Sequence, residues 1–469
     1  MLKGKQQEIL NLKYTGHGVV CGVAGSGKSF CAIKRAEFVH LMTGKNVLVL
    51  SYNNSLINYM KDISDISTSN IHFTTYHKFA TKCMRKLGVL SNGDILQYQK
   101  EKEKLIHIAT DNVIKRDGKV STLERKSFLI DEINWMESFG ALTRDIYNDI
   151  ERNGRGSANL RKVDRKYVFN VYEEYINLRR QKGYKYDWTD LAYHLNNILE
   201  DNNITPEYGC IIIDEGQDFS PMMIRSLVNY IKDKGSILYF GDKGQQIYGK
   251  GSMTWKNIGL KISKVYILDE NHRNSKQIEK LANNIRKNLN LNVEDGLVSV
   301  NSQREGSLPK VVSFKDENKE RQYIINRIKE YSQNGSTCII FRSNADADEF
   351  IDLLEVNHIY PIKIDRNTTN FNIVNGVFVG TYHSVKGLEF DNVIIPKCSN
   401  DMLENIENIE NISKMDLNSY VEEYEIELAK LIYVAVSRAK NNLLITHTGE
   451  ILKIIPKTDN ICQFFIGVE

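Results

Sequence analysis

Eight consecutive residues, Gly22-Val23-Ala24-Gly25-Ser26-Gly27-Lys28-Ser29, constrain this chain more than any other segment. Glycines at this spacing, ending in Lys-Ser, suit few folds. They call for a strand before and a helix after, so that backbone N–H groups close around a triphosphate at a helix N-terminus, where the dipole favours negative charge. Both are foreshadowed: Val19 to Cys21 is a short apolar run that reads as a strand, and Lys28 to Ala36 reads as a helix opening. Lys28 would then reach the β- and γ-phosphates, and the Ser29 hydroxyl would take a place on Mg²⁺. Gly25, Ser26, Gly27 and Phe30 complete the expected cradle. A ligand-free glycine-rich turn is the bland alternative, and the full pattern in context outweighs it. A nucleotide hydrolase is expected.

The remaining bounds are broad. A length of 469 residues corresponds to about three domains. The net charge of +3 is too small to argue for a nucleic-acid partner by itself, so any basic groove must come from local arrangement. Seven dispersed cysteines without paired spacing suit reduced thiols in a cytoplasmic protein. Neither an apolar signal core nor a membrane-length apolar run is visible.

Short apolar runs alternating with helical patterns predict two parallel α/β units. The first holds Val47–Leu50, Cys210–Ile213, Ile237–Phe240 and Val265–Leu268; the second holds Cys338–Phe341, Val377–Val379, Val393–Ile395 and Leu443–Thr446. Between them in composition stands a Lys-, Arg-, Asn- and Tyr-rich stretch whose apolar residues recur at helical spacing, as in Phe169, Tyr172 and Ile176. The expected division is residues 1–80 with 206–268, a mainly helical insertion over 81–205, and 269–469. The acidic, repetitive stretch from Asp401 to Leu428 reads as a solvated loop or helix.

Ile211-Ile212-Ile213-Asp214-Glu215 is an apolar strand ending in two carboxylates. Lying beside the P-loop strand, it would bring Asp214 to the metal through water, and Glu215 would orient and deprotonate the attacking water. Gln245, in the polar run Gly241 to Tyr248 after another strand, could read the γ-phosphate. Arg273 follows a strand and Arg438 sits in an expected helix; either could neutralise charge on the transferring phosphoryl group.

Taken in this order, the segments resemble superfamily 1 helicases of the UvrD/Rep/PcrA type, from Gln6 to about Thr446. Lys5-Gln6-Gln7 looks like the family's adenine-reading motif. Asp187-Trp188-Thr189-Asp190-Leu191 resembles its Asp-Phe-x-Asp-Leu, and Thr381-Tyr382-His383-Ser384-Val385-Lys386-Gly387-Leu388-Glu389-Phe390 its Thr-x-His-x-x-Lys-Gly-Leu-Glu-Phe. The resemblance implies two RecA-like domains with ATP and Mg²⁺ between them and a helical accessory insertion in the first. It places Gln6, His272, Gly387 and Glu389 on the nucleotide and makes Arg273 and Arg438 arginine fingers. Tyr52, Asn53, Thr75, His77, Tyr248, Thr381, His383 and Ser384 would contact single-stranded DNA. ATP-driven stepping in the 3′-to-5′ direction would follow.

Three departures stand out. Lys250-Gly251 replaces the family's base-stacking Trp-Arg, with Trp255 as a candidate substitute. His272 replaces a tyrosine beside the first arginine finger. The interval from Cys338 to Thr381 is too short for the family's second accessory domain, which opens a dependence on a partner, such as a nuclease, for duplex engagement. Two further readings stay open: a DNA-stimulated ATPase switch in a larger complex, and an RNA-directed enzyme.

Overall fold

The computed structural model describes residues 4–467 except 24, 65–69, 153–159, 203, 243–254, 256–259, 289–301, 303, 366, 369–370, 372–374 and 401–413. The first strands in chain order are β1 (His17–Gly22), β2 (Val47–Ser51), β3 (Ile71–Thr75), β4 (Ile95–Leu96), β5 (Tyr186–Asp187), β6 (Cys210–Ile213), β7 (Ser236–Gly241) and β8 (Ile262–Leu268). All but the small β4–β5 ribbon form one sheet in the order β3-β2-β6-β7-β1-β8. Its pairings are parallel, and helices cover both faces, so β2 and β7 are buried along their whole length.

The lateral order corrects one expectation. β7 lies between β1 and β6, so the strand carrying Asp214 is not the neighbour of the P-loop strand. The two still finish together, because the parallel register brings Cys21 level with Gly241 and Ile213 level with Tyr239.

The helix Lys28–Thr43 follows β1 and is bounded by two left-handed glycines, Gly27 (φ 78°) and Gly44 (φ 66°). At Gly27 a β-carbon would also lie 2.7 Å from the Gln6 amide. The helix Pro221–Ile231 opens on Ser220, whose hydroxyl accepts from the Met223 N–H, with proline in its first turn.

The second sheet takes β9 (Lys310–Phe314), β10 (Thr337–Phe341), β11 (Ile362–Lys363), β12 (Val377–Thr381), β13 (Phe390–Ile395), β14 (Ala439–Thr448) and β15 (Gln463–Ile466). Their order is β11-β12-β10-β13-β14-β9-β15. The helix Lys414–Val436 ends two residues before Arg438, which therefore stands in the turn leading to β14 and not in a helix. Of the acidic stretch, 401–413 lies outside the described residues, while Leu428 is buried in the core of this unit.

Between β3 and β6 the helices Gln99–Asp117, Lys126–Phe139 and Arg165–Gln181 gather around their own core, which includes Leu105, Leu129, Ile133 and Tyr175. The helices at either end of this stretch, Tyr76–Lys86 and Leu191–Asp201, pack instead into the core of the first sheet. Inside the insertion lies a buried ionic network. Lys102 Nζ is 2.5 Å from Glu137 and 3.0 Å from Asp187, while Arg179 is 3.0 Å from Asp187 and 2.7 Å from Asp190. Burial and then the charge of Asp187 push the Glu137 carboxyl well above its ordinary range. Burial would raise Asp187 too, but Lys102 and Arg179 outweigh it and hold it low.

Only the helix Asn344–Val356 and the short β11 fill the described part of the interval between β10 and β12. The segment after β11 crosses to the helix Asn54–Asp62. Ser55 Oγ donates to the Asp365 carbonyl at 2.7 Å, Asn58 Nδ2 to the Thr368 carbonyl at 2.9 Å, and the Phe371 ring meets Tyr59 edge-on at 6.1 Å. Among the described residues no helix is long and apolar enough to cross a membrane.

Candidate nucleotide and nucleic-acid site

A cleft of about 650 Å³ opens where the two sheets face each other. One wall carries Gln6, Gly25, Gly27, Lys28, Ser29 and Phe30; the other carries His272, Arg273, Gly387, Glu389 and Arg438; Glu215 also lines it. Ser26 is turned inward, its hydroxyl donating to the Val23 carbonyl at 2.9 Å. Lys28 Nζ donates to the carbonyls of Gly22 (2.8 Å) and Val23 (2.9 Å), so its ammonium is held within the loop. Gln6 Nε2 donates to the Ser26 carbonyl at 3.0 Å, tying the N-terminal segment to the loop. The close fit continues at Gly25, where a β-carbon would fall 2.2 Å from Asn271 Oδ1.

Both oxygens of the buried Asp214 lack a hydrogen-bond partner among the described residues. Burial first and Glu215 second push this carboxyl up to about 7, while Ser29 and Lys28 pull the other way. An orphaned carboxylate beside a hydroxyl is the oxygen donor set that a hard divalent cation takes; Ser29 and Asp214 fit Mg²⁺. Glu215 has a left-handed backbone (φ 50°), an uncommon state for a non-glycine residue and one often found at working sites. Its carboxylate accepts from Gln217 Nε2, and Gln217 Oε1 accepts from the Asp242 N–H at 2.8 Å. Burial alone would raise Glu215, but Lys386, Lys28 and Arg438 outweigh it and hold it below its ordinary value.

Across the cleft, Arg273 Nε donates to Glu389 at 2.8 Å, and Lys440 lies 2.8 Å from the same carboxylate. Burial would raise Glu389, yet these two cations hold it at about 2. Arg438 donates to the carbonyls of Val434 and Leu388 and to the Ser437 hydroxyl. Burial and the charge of Arg273 lower it to about 9. The His272 imidazole is part-exposed, 3.5 Å from Glu270, and the His272 backbone N–H donates to the Gly25 carbonyl at 2.9 Å.

The two sheets also meet through a buried ion pair. Lys386 Nζ lies 2.5 Å from Asp218 Oδ1, each side chain 2% exposed. Next to it Gly387 (φ 84°) has no room for a β-carbon, which would stand 2.7 Å from Leu56 Cδ2.

The residues expected on nucleic acid fall at strand ends beside this seam. Tyr52 and His77 meet edge-on at 5.7 Å, and His77 meets Trp188 at 5.3 Å. Asn53 caps the helix Asn54–Asp62 by accepting from the Ser55 N–H at 2.9 Å, and Thr75 is buried at the end of β3. Ser384 Oγ accepts from the Thr381 N–H (2.8 Å) while Thr381 Oγ1 accepts from the Ser384 N–H (3.3 Å), so these hydroxyls close their own turn. Burial and then Lys386 lower the His383 imidazole. Gln245 and Tyr248 lie outside the described residues, as do Lys250 and Gly251. Trp255 packs its ring edge-on against Tyr239 at 4.7 Å, within the core of the first sheet.

Tyr59, Asn271, Arg304 and Lys440 also line the cleft and were not anticipated. Tyr59 lies mid-helix with no motif around it. Asn271 alone had a cue, since it adjoins the His272-Arg273 pair.

Comparisons with known proteins identify the family. The UvrD/REP helicase N-terminal domain family matches residues 2–264. The UvrD-like helicase C-terminal domain family matches residues 266–371 and 363–450. Among curated proteins, the chain is similar to the ATP-dependent DNA helicase UvrD2 of Mycobacterium tuberculosis, 24% identical over 53% of this chain and 36% of that protein. It is also similar to the ATP-dependent DNA helicase PcrA of Staphylococcus epidermidis, 22% identical over 74% of this chain and 49% of that protein. A probable DNA helicase II homolog of Mycoplasma capricolum is 21% identical over 70% of this chain and 47% of its own length. The matched segments thus span half or less of each relative.

Proposed function

This chain belongs to the UvrD-like helicase family, and from that premise we propose that it is an ATP-driven translocase on single-stranded DNA. One observation carries the reading. Lys28 and Glu215 from the first unit share a single cleft with Arg273, Glu389 and Arg438 from the second. Lys28 would leave the loop carbonyls for the β- and γ-phosphates. Glu215, kept ionised, would take the proton of the attacking water, and the two arginines would stabilise charge on the transferred group. Ser29 and Asp214 would hold Mg²⁺, which would supply positive charge to the triphosphate. Glu389 would exchange Arg273 for the ribose.

Tightening and loosening this cleft would be read on the DNA side through the turn Thr381–Ser384, only two residues from Lys386. We assign the 3′-to-5′ direction by family analogy. ATP turnover measured with single-stranded DNA, with RNA and with neither, alongside strand displacement, tests the reading. Stimulation by DNA is expected. Glu215→Gln should bind ATP and turn over at least ~10²-fold more slowly, in line with the loss of a general base; normal turnover would remove the assignment.

The short interval between β10 and β12 favours a second reading, a DNA-stimulated switch acting with a partner. Strong DNA-stimulated turnover without strand displacement by the protein alone would select it.

A further inference from the structure

The first sheet ends on β3, which pairs with β2 on one side. Along its outer edge runs a second groove, about 580 Å³, distinct from the nucleotide cleft. The helix Asn54–Asp62 contributes Lys61 to one wall, and the helix Tyr76–Lys86 contributes Lys78 and Lys82 to the other. Every charged lining residue is a lysine. Of the nearby carboxylates, Asp62 accepts from the Phe371 N–H, and Glu207 is shared between Lys82 at 3.6 Å and Lys86 at 3.9 Å, with Lys82 62% exposed and within reach of a ligand.

The groove joins the residues already assigned to nucleic acid. Thr74, in its wall, precedes Thr75; Lys78 follows His77, and its ammonium donates to Asn54 at 2.7 Å, one residue past Asn53. From there the groove descends along β3 to His72 and Tyr208, whose ring and hydroxyl meet at 2.8 Å.

We propose that this groove is a phosphate-binding extension of the DNA track, in which Lys61, Lys78 and Lys82 hold the backbone of a single strand running past His77 and down the open edge of β3. The inference rests on the single-strand reading above. Lysines on both walls of a groove suit a chain of phosphates laid between them, and binding phosphates needs no sequence preference. An extended acidic peptide paired to the β3 edge is the competing occupant; continuity with Asn53, Thr75 and His77 favours DNA.

The test is fluorescence anisotropy of labelled oligo-dT of increasing length, at several salt concentrations, with a nonhydrolysable ATP analogue. Wild type is compared with Lys61→Gln/Lys82→Gln, which leaves Lys78 on Asn54, and with the triple variant that adds Lys78→Gln. Each lost phosphate contact should reduce the slope of log K against log salt by ~0.7, so the triple variant should lose about 2 and the double variant less. Both variants should stop gaining affinity at a shorter oligonucleotide than wild type, with short oligonucleotides bound nearly alike. Variants identical to wild type in slope and length dependence would overturn the proposal. So would a poly-glutamate peptide that binds wild type and not the triple variant while the DNA slopes stay equal. Wild type that binds no oligo-dT of any length would instead sink the single-strand reading itself.

Discussion

Two buried ionic arrangements in this molecule look alike and do different work. In the helical insertion, Lys102 and Arg179 serve three carboxylates inside one packed core. At the seam, Lys386 and Asp218 form a pair contributed by the two sheet units. In the first arrangement no charged side chain is more than 3% exposed. The second reaches water once the cleft opens. Since the cost of a buried charge lies in its desolvation, the same chemistry acts as a fixed joint in one place and as a position-dependent contact in the other.

The largest effect should come from the insertion. Arg179→Met takes the guanidinium from Asp190 and leaves Asp187 with Lys102 alone, and unfolding in denaturant should show a loss of ~3–5 kcal/mol, the usual cost of breaking a buried pair from one side. Lys386→Met should behave differently. With the cleft opened, Asp218 regains water, so stability should move by less than ~1 kcal/mol while kcat/KM for ATP falls about tenfold, equivalent to ~1.4 kcal/mol. Adding Asp218→Asn should return part of that activity, since neither partner is then left buried and charged. Equal destabilisation by Arg179→Met and Lys386→Met would collapse the contrast.

A smaller effect sharpens it. Three carboxylates on two cations leave one in excess, and burial with the charge of Asp187 favours the protonated form of Glu137. Its folded value is raised above the ordinary 4.5, so the stability tied to that proton is complete below 4.5 and is lost as pH rises through the folded value. Glu137→Gln removes this dependence. The variant should therefore gain on wild type in denaturant midpoints as pH rises above about 4.5; a constant difference would mean that Glu137 is ionised throughout.

What could be read beforehand was chemistry at strand ends. Asp214 and Glu215 announce themselves because an apolar run stops abruptly in carboxylates, and the P-loop carries its own geometry. The neighbours of those strands were not legible. Ile237–Phe240 and Cys210–Ile213 are interchangeable as apolar runs, and nothing local says that β7 stands between β6 and β1. Charge partners were hidden for the same reason. Asp187 and Asp190 were visible as a motif, but their dependence on Arg179 and Lys102 arises only once the helices pack. Lys386 and Asp218 are 168 positions apart, and Tyr59 reaches the cleft from the middle of a helix. The hydroxyls of Thr381 and Ser384 teach the reverse lesson: residues assigned to a ligand also hold each other, so their turn keeps its shape by itself.

The missing β-carbon at Gly387 sets the tolerance of the whole seam. With Leu56 pressed against that position, the thickness of one methyl group separates a cleft that can shut from one that is propped. Any side chain at residue 387 would press on Leu56 across the seam and would also meet the strain of this left-handed backbone. At this point the room left between the two units is smaller than one carbon atom.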